Sequence, residues 1–141
     1  MINEIRTYLK SVVKSENKDL RVISNPVTDE MADTVIEDSF FIGIQNMVSD
    51  LDDTTITSNI NVILNIYKAG DSEAIDDFDS AYCEAIGIQA NAMFKKNVDQ
   101  LNYIKNVTSS GIDVETVNNN DNMFKFSIQF TITVTYEHKE L

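Results

Sequence analysis

From Met123 to Tyr136 apolar and polar positions alternate without a break. Phe124, Phe126, Ile128, Phe130, Ile132, Val134 and Tyr136 fall on one side; Lys125, Ser127, Gln129, Thr131, Thr133 and Thr135 fall on the other. Side chains of a β-strand alternate with a period of two, so the pattern predicts one long strand with a wholly apolar face. At ~3.3 Å per residue it spans ~45 Å, well beyond the usual strand of about six residues. Its polar face carries Ser, Gln and Thr, with charge only at Lys125 and at Glu137 just beyond. A face meant for open water takes more charge, so this one suits a surface covered by another strand or subunit.

Upstream, Ser39–Leu51 and Thr55–Lys68 read as two further long strands. In the second, Ile56, Ile60, Val62, Leu64 and Ile66 share a face broken by Ser58, opposite Thr57, Asn59, Asn61 and Asn65. In the first, Phe40, Ile42, Ile44 and Val48 share a face while Phe41 and Met47 sit on the other, which predicts cover on both sides. The Asp52-Asp53-Thr54 link is short enough for an antiparallel hairpin. Leu101–Val107 and Ile112–Val117 read as two more strands, parted by Ser109-Ser110-Gly111. The polar turn Asn118–Asn122 then makes a second hairpin with the closing strand. Leu20–Ser24 is a short strand ended by Asn25-Pro26, and acidic Val27–Asp38 reads as a loop with at most one helical turn.

Two segments follow the helical period instead. Ile2, Ile5, Leu9, Val12 and Val13 mark an amphipathic helix over Ile2–Lys14, with Arg6, Lys10 and Lys14 stacked along another face. Asp71 or Ser72 caps a second helix that runs to about Asn97, with Asp76 and Asp77 near its start and Lys95 and Lys96 at its end, as the helix dipole favours. It has two stripes: Ile75, Phe78, Tyr82, Ile86 and Met93, expected to face the sheet, and Ala74, Ala81, Ala85, Ile88 and Ala92, small enough for the first helix or another subunit to come close. The expected fold is α+β: an antiparallel or mixed sheet with long hairpins, packed against one long helix and an N-terminal helix.

Composition adds the scale. A chain of 141 residues with 43% hydrophobic content fits one domain, 1–141, with a sizeable core. The single Cys83 excludes an intrachain disulfide and suits a reducing compartment. No apolar run reaches the ~20 residues of a membrane helix, and Met1–Leu9 lacks a signal peptide's pattern. Charge changes the picture most. Met1–Arg21 holds five cations and three acids, Val22–Phe94 one cation and fourteen acids, and Lys95–Leu141 five cations and six acids, which sums to the net −12. Such an acidic middle repels nucleic acid and suits a basic partner, the basic end of a second copy, or a surface that DNA passes without sticking.

Catalytic motifs do not emerge. His138, the only histidine, sits in a charged tail, and Cys83 reads as a small core hydrophobe between the two stripes. Gly43, Gly70, Gly87 and Gly111 stand alone, so no phosphate-cradling loop forms. Asp50-Leu51-Asp52-Asp53 lacks the glycine of a calcium loop, and Asn61 stands where a bidentate glutamate is needed, which leaves an acidic hairpin tip. The acids near the start of the long helix, Asp76 and Asp77 among them, have a plain electrostatic reason to be there. No metal and no cofactor is expected.

The opening helix Ile2–Lys14, the hairpin Ser39–Lys68, the helix Ser72–Asn97 and the closing strand Met123–Tyr136 together resemble the tail terminator, or tail completion, proteins of long-tailed bacteriophages. The resemblance implies a non-enzymatic ring, typically a hexamer, that caps the tail tube and docks the neck or head completion protein. It implies a virion location, assembly in the host cytoplasm, no membrane partner, and DNA only as passing cargo. Within such a ring, Arg6, Lys10 and Lys14 of one copy are expected to meet acids of the next, Asp50, Asp52 and Asp53 of the hairpin or Asp76 and Asp77 of the helix start. Three rivals stand beside this: another neck or head–tail joining protein, an acidic DNA mimic that inhibits a basic enzyme, and a small enzyme of unrecognised type.

Overall fold

A computed structural model describes residues 2–23, 38–52, 54–70, 75–94, 104–117 and 120–137. The chain runs α1 (Ile2–Glu16), β1 (Arg21–Val22), β2 (Ser39–Leu51), β3 (Thr55–Ala69), α2 (Ile75–Phe94), β4 (Ile104–Val117) and β5 (Asn120–Glu137). Among the described residues five strands form one mixed sheet in the order β1-β2-β3-β5-β4, in which only the β1–β2 pair is parallel. This is the α+β arrangement expected from the patterning, with both hairpins in place, although β5 begins at Asn120, inside the expected turn Asn118–Asn122.

The long strands pair along almost their whole length. β3 runs antiparallel to β5 from Thr55↔Glu137 to Ala69↔Met123 without a register shift. Alternation on β5, and on β3 with exceptions that include Ser58 and Ile63, makes this register self-consistent, since a one-residue slip would turn most apolar side chains to the other face. Ile60, Val62, Leu64, Ile66, Phe126, Ile128, Phe130, Ile132 and Val134 are all buried on the face that the two helices cover.

α1 enters as its period demands: Ile5, Leu9, Val12 and Val13 are buried. The Tyr8 hydroxyl donates to the Ala92 carbonyl at 2.7 Å, and Glu16 accepts from the Asn91 side chain, so α1 is tied to α2 at two places. A Cβ added at Gly87 would lie 2.8 Å from the Glu16 carboxylate, so that side chain packs over the bare backbone of α2. Tyr8→Phe removes the buried donor while keeping the ring. It is expected to cost ~1 kcal/mol, read as a lower urea midpoint at unchanged slope.

α2 meets the expected orientation in part: Phe78 and Tyr82 face Phe126 of the sheet, but Ile75 and Ile86 do not. The stripe that is buried is Ala81, Ala85, Ile88 and Ala92, while Ile75 and Ile86 are 76% and 42% exposed. Small residues let the helix axis come close, and the larger Phe78, Tyr82 and Met93 reach the core from its flank. Phe78 and Tyr82 stack at 5.7 Å, and both meet Phe126 at 6.3 Å. Cys83, expected in the core, is exposed, because the helix is turned away from that side.

Two bulges correct the strand readings. A register shift between Ile44 and Asn46 turns β2 over, so Met47 pairs with Ile60 on the helix side and Val48 with Asn59 on the opposite side. Met47 thus joins Phe40, Ile42 and Ile44, and Val48 joins Phe41, the reverse of their expected sides. Cover on both faces holds near the start of β2, where Phe40 is buried and Phe41 packs against buried Tyr67 and Met123. It fails at the far end, where Met47, Val48 and Leu51 are exposed. The expected break at Ser109-Ser110-Gly111 is a register shift inside one continuous β4. The Gln89 side chain donates to Ser109 Oγ and to the Ser110 carbonyl, both at 2.8 Å, so α2 satisfies polar groups at that irregularity.

The loop reading of Val27–Asp38 falls outside the described residues except at Asp38, as do the caps Asp71 and Ser72, Ala74, Lys95, Lys96, Leu101, Asn118 and His138. The placement of the Tyr136 side chain also falls outside them.

Candidate assembly interface

Sequence-derived candidates occupy separate parts of the molecule. Arg6 and Lys10 are exposed on α1 and border a groove of about 450 Å³ along the sheet margin, with Val22, Ile23 and the stretch 41–44 of β2 as its apolar wall. Lys14 is half-buried and donates to the Lys18 carbonyl at 3.2 Å, so it closes the turn after α1 as well as extending the stripe. Asp76 and Asp77 are exposed in the first turn of α2, where Asp77 lies against Gly70 beyond the end of β3. Asp50 is exposed near the tip of the β2–β3 hairpin, at the other end of that strand. Asp53 lies outside the described residues.

Asp52 has a local structural role. Its Oδ1 accepts from the Thr54 and Thr55 backbone N–H groups at 2.9 and 2.7 Å, and its Oδ2 accepts from the Thr55 hydroxyl at 2.8 Å. Aspartate side chains stabilise turns by this means, so Asp52 sets the hairpin tip. One copy therefore does not gather the basic stripe and the acids into one site; they sit on different surfaces.

A charged set that pattern reading missed lies at the base of β3. Lys68 is 17% exposed and reaches Glu84 of α2 at 2.9 Å and Asp38 before β2 at 3.4 Å. Asp38 itself has a positive φ of 55°, a conformation that Asp tolerates better than most residues. No local motif marks this set, because three distant segments supply it.

The sheet face away from the helices is uncharged through its middle, as the last strand foretold. The Thr133 hydroxyl donates to Asn59, that of Thr131 to Asn61 and that of Ser127 to Asn65, each at 2.8 Å. The Asn61 amide in turn donates to Asn46 on β2. These side chains satisfy one another across three strands above a shallow trough of about 510 Å³. At one end of the face Lys125 pairs with Glu115 at 2.6 Å. Among the described residues no three His, Cys, Asp or Glu side chains gather as metal ligands, and no helix is long and apolar enough to cross a membrane.

The sheet margin is the feature that sequence reading did not find. β1 pairs only with Ser39 and Phe40, and two further bonds run from the Arg21 N–H to the Asp38 carbonyl and from the Ile23 N–H to the Phe40 carbonyl. Among the described residues no strand pairs with the outer edge of β2 from Ile42 onward. The exposed apolar pair Met47 and Val48 lies on this stretch. Two adjacent apolar residues in a strand were its one trace in the sequence.

The sequence matches no protein-family model and no curated protein. A solved structure shares the fold: a chain in the virion of a native gene transfer agent particle, with a TM-score of 0.62 and 10% identity, over 94% of this chain and 92% of that chain. At that identity the likeness is one of fold.

Proposed function

We propose that this chain is a non-enzymatic virion structural protein, a ring-forming tail terminator that caps the tail tube and joins it to the neck. The observation that carries this reading is the fold shared, nearly end to end, with a chain of a virion particle. The element order supports the narrower terminator role. The partners are then further copies of the chain, the tail tube protein and the neck or head completion protein, with DNA passing through the lumen. The chain's net −12 supports this last point, since like charge keeps the phosphate backbone from adhering to the walls of a conduit.

The ring brings the two separated charge sets together between copies. The exposed Arg6 and Lys10 of one copy face the acids at the hairpin or the α2 start of the next, a head-to-tail contact that closes when its rotation closes.

Solution mass together with electron-microscopic imaging tests the reading. A closed ring, six copies on the terminator reading, is the expected result. A protein that stays monomeric at every concentration and competes with DNA for a basic enzyme would place it among DNA mimics instead. In an assembly reaction, adding the protein is expected to stop tube growth. A ring that leaves tube length unchanged would point to a neck protein.

A further inference from the structure

We propose that copies of this chain join edge to edge, the outer edge of β4 in one copy continuing onto the outer edge of β2 in the next. The ring, on which this inference rests, would then be built on one antiparallel sheet running through all copies. The open backbone groups of an edge strand are a ready template for another strand. Among the described residues the sheet order leaves β4 at one margin, and at the other β1 covers only the first residues of β2.

Strand direction agrees. β3 opposes β2, β5 opposes β3 and β4 opposes β5, so β4 runs antiparallel to β2. Rotation about an axis along the strands leaves every direction unchanged. The β4 edge therefore meets the next β2 antiparallel, and the alternation continues across the joint.

Level agrees as well. With the strands held along the ring axis the joint carries no stagger, and we place residues of one cross-strand row against residues of the same row; tilted strands would add a fixed stagger. The registers place Met47, Ile60, Ile132 and Val107 in one row, and Val48, Asn59, Thr133 and Asn106 in the next. Both margins are regular at this level: β2 after its shift at Gln45, and β4 between its shifts at Lys105 and at Ser110-Gly111. Joining them sets Val107 beside the neighbour's Met47, which is 47% exposed in one copy, and so extends an apolar row that is otherwise buried. It also places Thr108 beside the neighbour's Asn46, extending the amide and hydroxyl pairing already present on that face. Exposed Lys105 comes within about one row of the neighbour's exposed Asp50, which adds opposite charge to the contact.

Cysteine cross-linking of the full chain tests this. Val48→Cys and Asn106→Cys are combined in a Cys83→Ser background, because Cys83 is an exposed thiol. Directly opposed residues of antiparallel strands have Cβ atoms ~4.5–5.5 Å apart, close to what a disulfide spans. On oxidation the double variant is expected to give a ladder of disulfide-linked multimers ending at the full ring, while each single variant runs as monomer under denaturing conditions. Three outcomes overturn the proposal. A ring of unchanged mass with no ladder removes edge pairing and leaves the ring reading intact. Dimers from either single variant would show a two-fold contact instead. A double variant and parent that both stay monomeric, without cross-links, would remove this inference and the ring together.

Discussion

Replacing Phe126 with alanine is expected to lower the unfolding free energy by about 3–5 kcal/mol, read as a large fall in the urea midpoint. Phe126 is fully buried in the middle of the sheet's helix-covered face. Its ring meets Phe78, Tyr82 and Phe124, each at 6.3 Å between centroids, so it joins α2 to β5. Truncation removes the transfer free energy of the ring and leaves a void, because the strand register holds the neighbours in place. β5 pairs with both β3 and β4 along most of its length, so it cannot shift to fill the space. Domain stability is typically ~5–15 kcal/mol, so the loss consumes a large part of it. Phe126→Leu retains most of the volume and is expected to lose far less. A cost below ~1 kcal/mol for the alanine variant would contradict the burial of Phe126 in the aromatic cluster.

The second large effect concerns assembly. Reversing Arg6, Lys10 and Lys14 together to glutamate is expected to abolish the ring while leaving the monomer folded. Each reversal changes the charge by −2, so three take the net charge from −12 to −18. Arg6 and Lys10 are exposed on the flank of α1 that borders the β1–β2 groove, and neither belongs to the buried core, so their reversal leaves the core side chains in place. In the ring these positions would meet acids of the next copy, and reversal would turn attraction into repulsion at every joint. Solution mass and circular dichroism read the two halves of this expectation. Raising the salt concentration is expected to weaken the parent ring along the same path, because exposed charges are screened beyond ~8 Å at ionic strength near 0.15 M. An unchanged oligomer in the triple variant would show that the basic stripe is only a solvated helix face.

Much of the fold was legible because the two periodicities are unambiguous where an element is half-buried. α1 and β5 each show one apolar face opposite one polar face, and each forms where its pattern places it. α2 was legible as a helix, and Phe78, Tyr82 and Met93 of its bulkier stripe do reach the core. Ile75 and Ile86 of that stripe are exposed instead, and the fully buried stripe is the alanine one, which local spacing could not rank above it. Cys83 is exposed as well. The bulges in β2 and β4 were also hidden. A bulge is a relation between two strands, and the sequence of one strand carries only its shadow: adjacent Met47 and Val48, or Ser109-Ser110-Gly111 taken for a break.

The candidate surfaces divide in the same way. The stacking of Arg6, Lys10 and Lys14 follows from helical spacing alone, and the uncharged row on β5 follows from alternation alone. Their surroundings do not. The amide and hydroxyl pairing needs β3 beside β5, and the Lys68 set needs three segments distant in the chain. The free margin of β2 exists only once the strand order is known.

By itself, then, the sequence determined the elements, their amphipathic faces and the charge layout, since these depend on local backbone geometry and the burial of apolar surface. Tertiary structure alone decided strand order, bulge positions, which stripe of α2 is fully buried and, among the described residues, which edges stay open. Those depend on pairing and packing between segments far apart in the chain, which no local period encodes.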